Sequence, residues 1–478
     1  MKSLTPASTF RFSTFTIVFA LVVPALFMDG MFADGTLYAA VSRNLANGNG
    51  SIWQLHFSKI AHDNFCEQPP LTFALQSLFF RIFGDNIYPE RMYDLLMAAL
   101  NAVLMMRIWK RIFSANQSFA KQDWLPVLLF FISPVTFWAF NNNIIEITMS
   151  MFVLACTDAL IAALIQEQKV KLNLFFAVTW LFASSLCKGF QGMFPVVLPA
   201  LFYFSGLKIS FKKAFFASLI LFGSFLILYA ILFLSPSIRT FYYNWYQSRI
   251  VNAFNGVSDT SGSHFLLLFE LLLDLLPPMG ITLFILLLTK LRKKNTGWNS
   301  EIFSWTKLFF LYALCGSIPL MVTREQRGFY LLTSLPFYSF ALALLLIPVI
   351  SSWLQKFELK LRTMKFIFIA NIFLSVTIFI LTIVLAGKPK RDEAILHDIH
   401  LTGKFLGPDK ILPGDASLFF SWGITNYYGR FYNISLSPPN DSIRTPYYLS
   451  DGEKGPEGYE RVPLETRRFV LWKKIIYH

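Results

Sequence analysis

The strongest constraint in this 478-residue chain is a recurring apolar stretch close to twenty residues long. At 1.5 Å per helical residue, about twenty residues cross the roughly 30 Å hydrocarbon layer of a bilayer. Such stretches fall at about 13–28, 92–109, 124–141, 145–166, 172–187, 190–206, 214–235, 265–289, 303–322, 328–350 and 365–386. Charged residues make up only 15% of the chain, too few to cover a water-soluble globule of this size. The fold class expected is an all-α polytopic membrane protein with about eleven transmembrane helices. No small-residue cleavage site follows the first stretch at Met28-Asp29-Gly30-Met31, so it reads as a retained helix rather than a signal peptide.

Charge sets the orientation. A net charge of +14 could indicate nucleic-acid binding, but Lys and Arg sit in short clusters between apolar runs and form no basic stripe. Alternate connections are all basic: Arg107, Lys110, Arg111 and Lys121; Lys169 and Lys171; Lys208, Lys212 and Lys213; Lys290, Arg292, Lys293 and Lys294; Lys356, Lys360, Arg362 and Lys365. The intervening connections are mixed or acid-leaning. The positive-inside rule puts the basic set and the N-terminus in the cytoplasm. The other connections and the C-terminal segment then face outward. Two regions result: a membrane domain over 1–386, including an outer loop at 29–91, and a C-terminal extracytoplasmic domain over 387–478. The latter has Pro, Gly and Asp turns and strand-like runs, read as a small mixed α/β unit rather than a loose tail. The four cysteines form no CxxC pair and no disulfide framework.

Ionisable groups at a membrane boundary are costly and therefore candidates for function. Asp29 and Asp34 follow the first helix, and Tyr38 shares a helical face with Asp34, which could alternatively be a helix cap. Glu67-Gln68-Pro69-Pro70 presents Glu67 on a rigid backbone, or simply starts a helix. Glu146 follows the polar turn Asn141-Asn142-Asn143. Cations recur on the same side: Lys188 before Gly189, Arg239, Arg249 and His264 in one loop, and Arg324 and Arg327 before Tyr330. Outer cations suit an anion such as phosphate, unless they only snorkel to the membrane rim. Carboxylates and cations on one face suggest transfer chemistry on a lipid phosphate.

These motifs resemble the GT-C superfamily of polyprenyl-phosphate-sugar glycosyltransferases, nearest the branch of protein O-mannosyltransferases and lipid A aminoarabinose transferases. That family has an Asp-Glu-x-x-Tyr-Ala motif after its first helix. Here Asp34-Gly35-Thr36-Leu37-Tyr38-Ala39 is similar, with Gly35 in place of the second acid. Its Pro-Pro-Leu motif appears as Glu67-Gln68-Pro69-Pro70-Leu71, its Lys-Gly-Pro motif as Lys188-Gly189-Phe190, and its late motif as Arg327-Gly328-Phe329-Tyr330-Leu331-Leu332-Thr333. The resemblance implies that Asp34 is the catalytic base, with Asp29 a rival. It implies that Tyr38 lines the donor site, that Lys188, Arg327 and Tyr330 lie near the donor phosphate, and that Gln68 stands where a phosphate-contacting Lys is common; Glu146 and Arg249 join them as substrate-binding candidates from their place at the membrane boundary. It implies that Glu67, with His264 as partner, can ligate a divalent metal ion; no organic cofactor is expected. The reaction expected is inverting transfer of a sugar from a polyprenyl-phosphate donor to the hydroxyl of a lipid, protein or glycan acceptor. It would occur at the outer face of the plasma (bacterial inner) membrane. A transporter or lipid flippase without transfer chemistry is the alternative, kept open by Asp158 and Asp274 within apolar stretches.

Overall fold

The computed structural model describes residues 5–475 apart from 167, 252–264, 292–297, 324, 358–360 and 440–444. Among the described residues, nine helices are long and apolar enough to cross a membrane, or ten if one bent pair counts as a span. That pair, Gln117–Phe131 and Pro134–Phe140, occupies the expected 124–141 stretch but turns through 87° at the break. Pro134 opens the second piece; a proline there cannot continue the hydrogen-bond ladder of the first.

The expected span at 190–206 is the return leg of a hairpin. The helix Val170–Lys188 ends at Gly189, whose φ of +71° suits glycine far better than any residue with a side chain. A 3₁₀ segment, Gly189–Val197, then leads into the short helix Leu198–Phe204. The Ser184 hydroxyl donates to the Gly192 carbonyl, so the chain folds back on itself. The far end, Phe204, accepts from Lys307 Nζ near the start of the helix Ser300–Ser317.

The helix Ile145–Ile165 is the most enclosed, packed between Val170–Lys188 and Pro89–Ile112. The helices Phe211–Leu232, Leu266–Leu291 and Arg362–Leu385 lie at the periphery and leave rows of Phe, Leu and Ile exposed. Continuous apolar exposure of that extent fits hydrocarbon, not water.

Two helices inside the expected 29–91 loop bring chemistry to one end of the bundle. After the first helix, Pro6–Phe27, the chain turns at Asp29-Gly30 and enters the helix Ala33–Ala46. The helix Leu71–Phe83 starts directly after Pro69-Pro70. Against Ala33–Ala46 packs Trp422–Tyr432, part of the C-terminal region. That region has its own apolar core, including Leu396, Ile399, Tyr428, Leu436, Leu449 and Phe469. Its strands form a parallel pair, Ile411–Pro413 with Ser435–Ser437, and an antiparallel sheet with Val470–Lys474 between Tyr447–Ser450 and Tyr459–Arg461.

Two buried arginines join this region to the bundle. Arg430 donates to both oxygens of Glu90 at 3.1 and 2.8 Å and to Asp85 at 3.0 Å. Arg43 donates to the Arg430 carbonyl at 2.7 Å and to Asn433 at 2.8 Å. Removing one partner of such a pair leaves a buried charge uncompensated, at a cost of about 3–5 kcal/mol. Arg430→Leu is therefore expected to lower the thermal unfolding midpoint of the detergent-solubilised protein sharply, read by tryptophan fluorescence, whereas Arg467→Leu at an exposed pair (51% and 68% exposed side chains) leaves it nearly unchanged.

Candidate active site

The site is assembled from helix ends. Glu146 lies in the first turn of Ile145–Ile165, where the positive end of the helix dipole favours a carboxylate. Lys188 is the last residue of Val170–Lys188, where the negative end favours a cation. The two helices pack side by side, and the residues form a buried ion pair. Lys188 Nζ also sits 3.6 Å from the centroid of the Tyr330 ring, a cation–π contact. Tyr330 belongs to the 3₁₀ segment Gly328–Thr333, and its hydroxyl reaches Glu325 at 3.5 Å.

Asp34 lies in the first turn of Ala33–Ala46. The N-cap of that helix is Phe32, not Asp34, and its side chain caps nothing. The Asn141-Asn142-Asn143 turn supplies what is missing. Phe32 N–H donates to Asn142 Oδ1 at 2.9 Å, and Asn143 Nδ2 donates to the Gly35 carbonyl at 2.8 Å. The approach is so close that a Cβ on residue 35 would lie 1.8 Å from the Asn142 carbonyl oxygen. This explains why glycine stands where the resembling motif carries its second acid: backbone occupies the space of a side chain.

Asp34 is half-buried and makes no hydrogen bond or ion pair with another described residue. Its pKa is raised to about 6. Burial is the main cause; Glu146 and Glu67 push the same way, while Lys188 and Arg249 oppose them. These four groups come from segments far apart in sequence yet all act on one carboxylate. Glu67 is held by Arg249, whose Nη2 donates to Glu67 Oε2 at 2.6 Å and whose Nε donates to the Glu67 carbonyl at 3.2 Å. His62 Nε2 lies 3.4 Å from the other Glu67 oxygen, and Arg249 Nη1 is 3.7 Å from Glu325. Tyr38 is buried one turn after Asp34, edge-on to Phe73. Burial first, and then Asp34 and Glu146, push its phenol well above its usual pKa, so it stays neutral.

The structure thus brings Asp34, Tyr38, Glu67, Glu146, Lys188, Arg249 and Tyr330 together. Gln68 is buried beside Glu67 and makes no hydrogen bond with another described residue. Arg327 is exposed on the same flank, and its charge bears on Glu270 rather than on Asp34. Asp29, the rival for the base, lies apart from this group. It hydrogen-bonds His400 at 3.0 Å and the Gly30 N–H at 2.7 Å, with Arg91 at 3.8 Å. Burial alone would raise its pKa; these partners outweigh burial and hold it below the usual carboxylate range. Asp29 therefore ties the bundle to the C-terminal region. His264 and Arg324 lie outside the described residues. His62 and Glu325 were not singled out from sequence; their only signal was that each lies in the same outer connection as a chosen residue.

The two aspartates noted within apolar stretches, Asp158 and Asp274, both have partners. Asp158 is paired with Arg107 and Arg111, each at 2.8 Å, and Asp274 accepts from the Val135 N–H at 3.0 Å.

Comparison with known proteins agrees with this architecture. Residues 67–236 match the family model described as dolichyl-phosphate-mannose-protein mannosyltransferase. Among solved structures, ArnT from Cupriavidus metallidurans bound to undecaprenyl phosphate is similar over 97% of each chain, with a TM-score of 0.64 at 13% identity. The same protein in the apo state gives 0.61 at 13% identity, again over 97% of each chain. The apo form of the Archaeoglobus fulgidus oligosaccharyltransferase gives 0.50 at 11% identity, over 90% of this chain and 64% of that one. No curated protein matches by sequence. The chain therefore has the GT-C fold of these structures, a multi-pass helical membrane architecture, and within it residues 67–236 match the mannosyltransferase family model.

Gly35→Ala tests the packing that seats Asp34. The added methyl has to displace the Asn142 backbone, and overpacking of this kind costs typically about 1–3 kcal/mol. The expected outcome is a lower unfolding midpoint and loss of transfer activity, read by fluorescence melting and by sugar transfer in membranes, whereas Gly423→Ala, with open space at its Cβ, is tolerated.

Proposed function

We propose that this protein transfers a sugar, with inversion at the anomeric carbon, from a polyprenyl-phosphate donor to an acceptor hydroxyl at the outer face of the plasma membrane. The observation that carries this reading is Asp34: a half-buried carboxylate with no hydrogen bond or ion pair to another described residue and a raised pKa, under the charge of Lys188 and Arg249. A general base must be free to take a proton and have a pKa near the working pH. Asp34 meets both needs. In the reaction, the acceptor hydroxyl gives its proton to Asp34 as its oxygen forms a bond to the anomeric carbon. The bond between that carbon and the phosphate oxygen breaks, and its electron pair leaves with the lipid phosphate.

Lys188 and Arg249 would stabilise that leaving anion. Each is already paired, but neither is exhausted. Lysine has three donors and arginine five, and Glu146 and Glu67 engage only some of them. Arg327, exposed on the same flank, adds positive charge at the entrance. Tyr38, Gln68 and Tyr330 would line the donor site. A donor phosphate on undecaprenyl phosphate is suggested by the ligand of the similar ArnT structure. The sidedness rests on the Lys and Arg pattern of the connections. The region 387–478 would be an extracytoplasmic domain that braces the helix carrying Asp34.

Glu67 was a candidate metal ligand with His264. The donor set does not fit that role among the described residues. No group of three or more His, Cys, Asp or Glu side chains comes together there, and Arg249 holds the Glu67 carboxylate. No step is therefore assigned to a metal.

Asp34→Asn should reduce sugar transfer by about 10²–10⁴-fold in membranes while leaving expression and the unfolding midpoint intact. The pH profile should carry the same signature. Only ionised Asp34 can accept the proton, so wild-type activity should rise with pH and level off above about 6, the raised pKa of this group. An activity that is flat from pH 5 to 7, or a variant with normal turnover, would remove Asp34 from the mechanism.

A further inference from the structure

A cleft adjoins the charged site. It measures about 880 Å³ and lies between the 49–64 segment, the helix Pro236–Tyr246 and residues of the C-terminal region. The volume falls in the upper part of the range for ligand sites. We propose that this cleft binds a neutral carbohydrate chain of the acceptor, so that the acceptor is a glycan rather than an anionic lipid or a bare peptide. The inference rests on the transferase reading above and assigns its second substrate.

Connectivity ties the cleft to the chemistry. Asn64 lines the cleft and Glu67 follows three residues later in the charged group. Asn244 lines it from the other wall, and the same chain segment carries Arg249. Between them, the Trp245 ring lies against Gly189, so close that a Cβ there would meet it at 3.0 Å. Gly189 is the neighbour of Lys188. The two walls of the cleft therefore run directly into the pairs that surround Asp34.

The lining has the chemistry of a sugar site. Four side-chain amides, Asn49, Gln54, Asn64 and Asn244, face the cleft and make no hydrogen bond with other described residues. Each amide offers both donors and an acceptor, which matches hydroxyl groups that do both. Trp53 supplies a half-buried flat apolar face, steadied edge-on by Phe241 at 5.6 Å, against which the C–H face of a sugar ring can lie. The charge balance disfavours an anion. Among the described lining residues Lys59 is the one lysine or arginine, against the carboxylates of Asp63, which His56 meets at 2.9 Å, and Asp409. Lys59 also turns its Nζ to the Asp409 carbonyl at 3.4 Å. A phosphorylated headgroup would meet net negative charge here. A peptide would be expected to find a strand edge or apolar pockets instead.

The test uses the full-length protein in nanodiscs and material from a strain lacking it. Polysaccharide fragments and extracted lipids from that strain's envelope supply unmodified acceptor in two separate pools. Binding of each pool is measured for wild type, Trp53→Ala and Asn244→Ala. Undecaprenyl phosphate binding serves as the control for folding. The expected result is that the polysaccharide pool binds, that both variants weaken it at least tenfold, and that undecaprenyl phosphate binding is unchanged. Binding of the lipid pool instead, or polysaccharide binding indifferent to both substitutions, would overturn the proposal. Asp34→Asn separates the two claims: if it transfers sugar normally while glycan binding persists, the catalytic reading fails and the cleft assignment stands.

Discussion

The buried pair between Glu146 and Lys188 is the interaction on which the rest of the site depends. Both side chains are largely enclosed at one end of the helix bundle, where an unpaired charge would be expensive. Each stands at the helix end whose dipole suits its sign. The pair therefore fixes the relative height of two helices, and other features take their position from it. Tyr330 lies on the Lys188 ammonium. The three-asparagine turn ends three residues before Glu146 and holds Phe32 and Gly35 in the next layer. Asp34 is thus placed by the backbone on either side of it, while its own side chain makes no hydrogen bond or ion pair with another described residue.

A second set of ties comes from the C-terminal region. The Tyr427 hydroxyl accepts from the Met31 N–H at 3.1 Å and lies 2.8 Å from its carbonyl, and Asn426 donates to the Ala33 carbonyl at 2.9 Å. These contacts bracket the segment leading into Asp34. Arg43 and Arg430 secure the far end of the same helix. Asp29, paired with His400, completes the seam. The helix bearing Asp34 is held between the bundle on one side and this region on the other. Such support keeps a reacting group within the narrow geometry that transfer requires.

The fold class was legible because apolar stretches of about twenty residues, repeated along a chain, match the thickness of a bilayer. What was not legible was where those stretches break. The 124–141 stretch bends at Ser133-Pro134, and the 190–206 leg begins as a 3₁₀ segment before turning α-helical, since hydropathy counts apolar residues and does not register backbone form. Most of the charged group was legible residue by residue, because charges flanking spans are conspicuous. Their pairing was not. Nothing in the sequence says that Arg249 meets Glu67 rather than Glu325 alone, or that Asp29 is taken by His400 some 371 positions away. The need for glycine at 35 became clear only when the Asn142 carbonyl was found against it.

In the proposed reaction a lipid phosphate seats between Lys188 and Arg249, facing the carboxylate of Asp34. The most direct measurement is a cryo-electron microscopy structure of the full chain in nanodiscs with undecaprenyl phosphate. The phosphate is expected within hydrogen-bond reach of both cations, with its lipid tail between helices. A phosphate found at the opposite end of the bundle, beside Arg107 and Lys110, or walled off from Asp34 by packed helices, would contradict it.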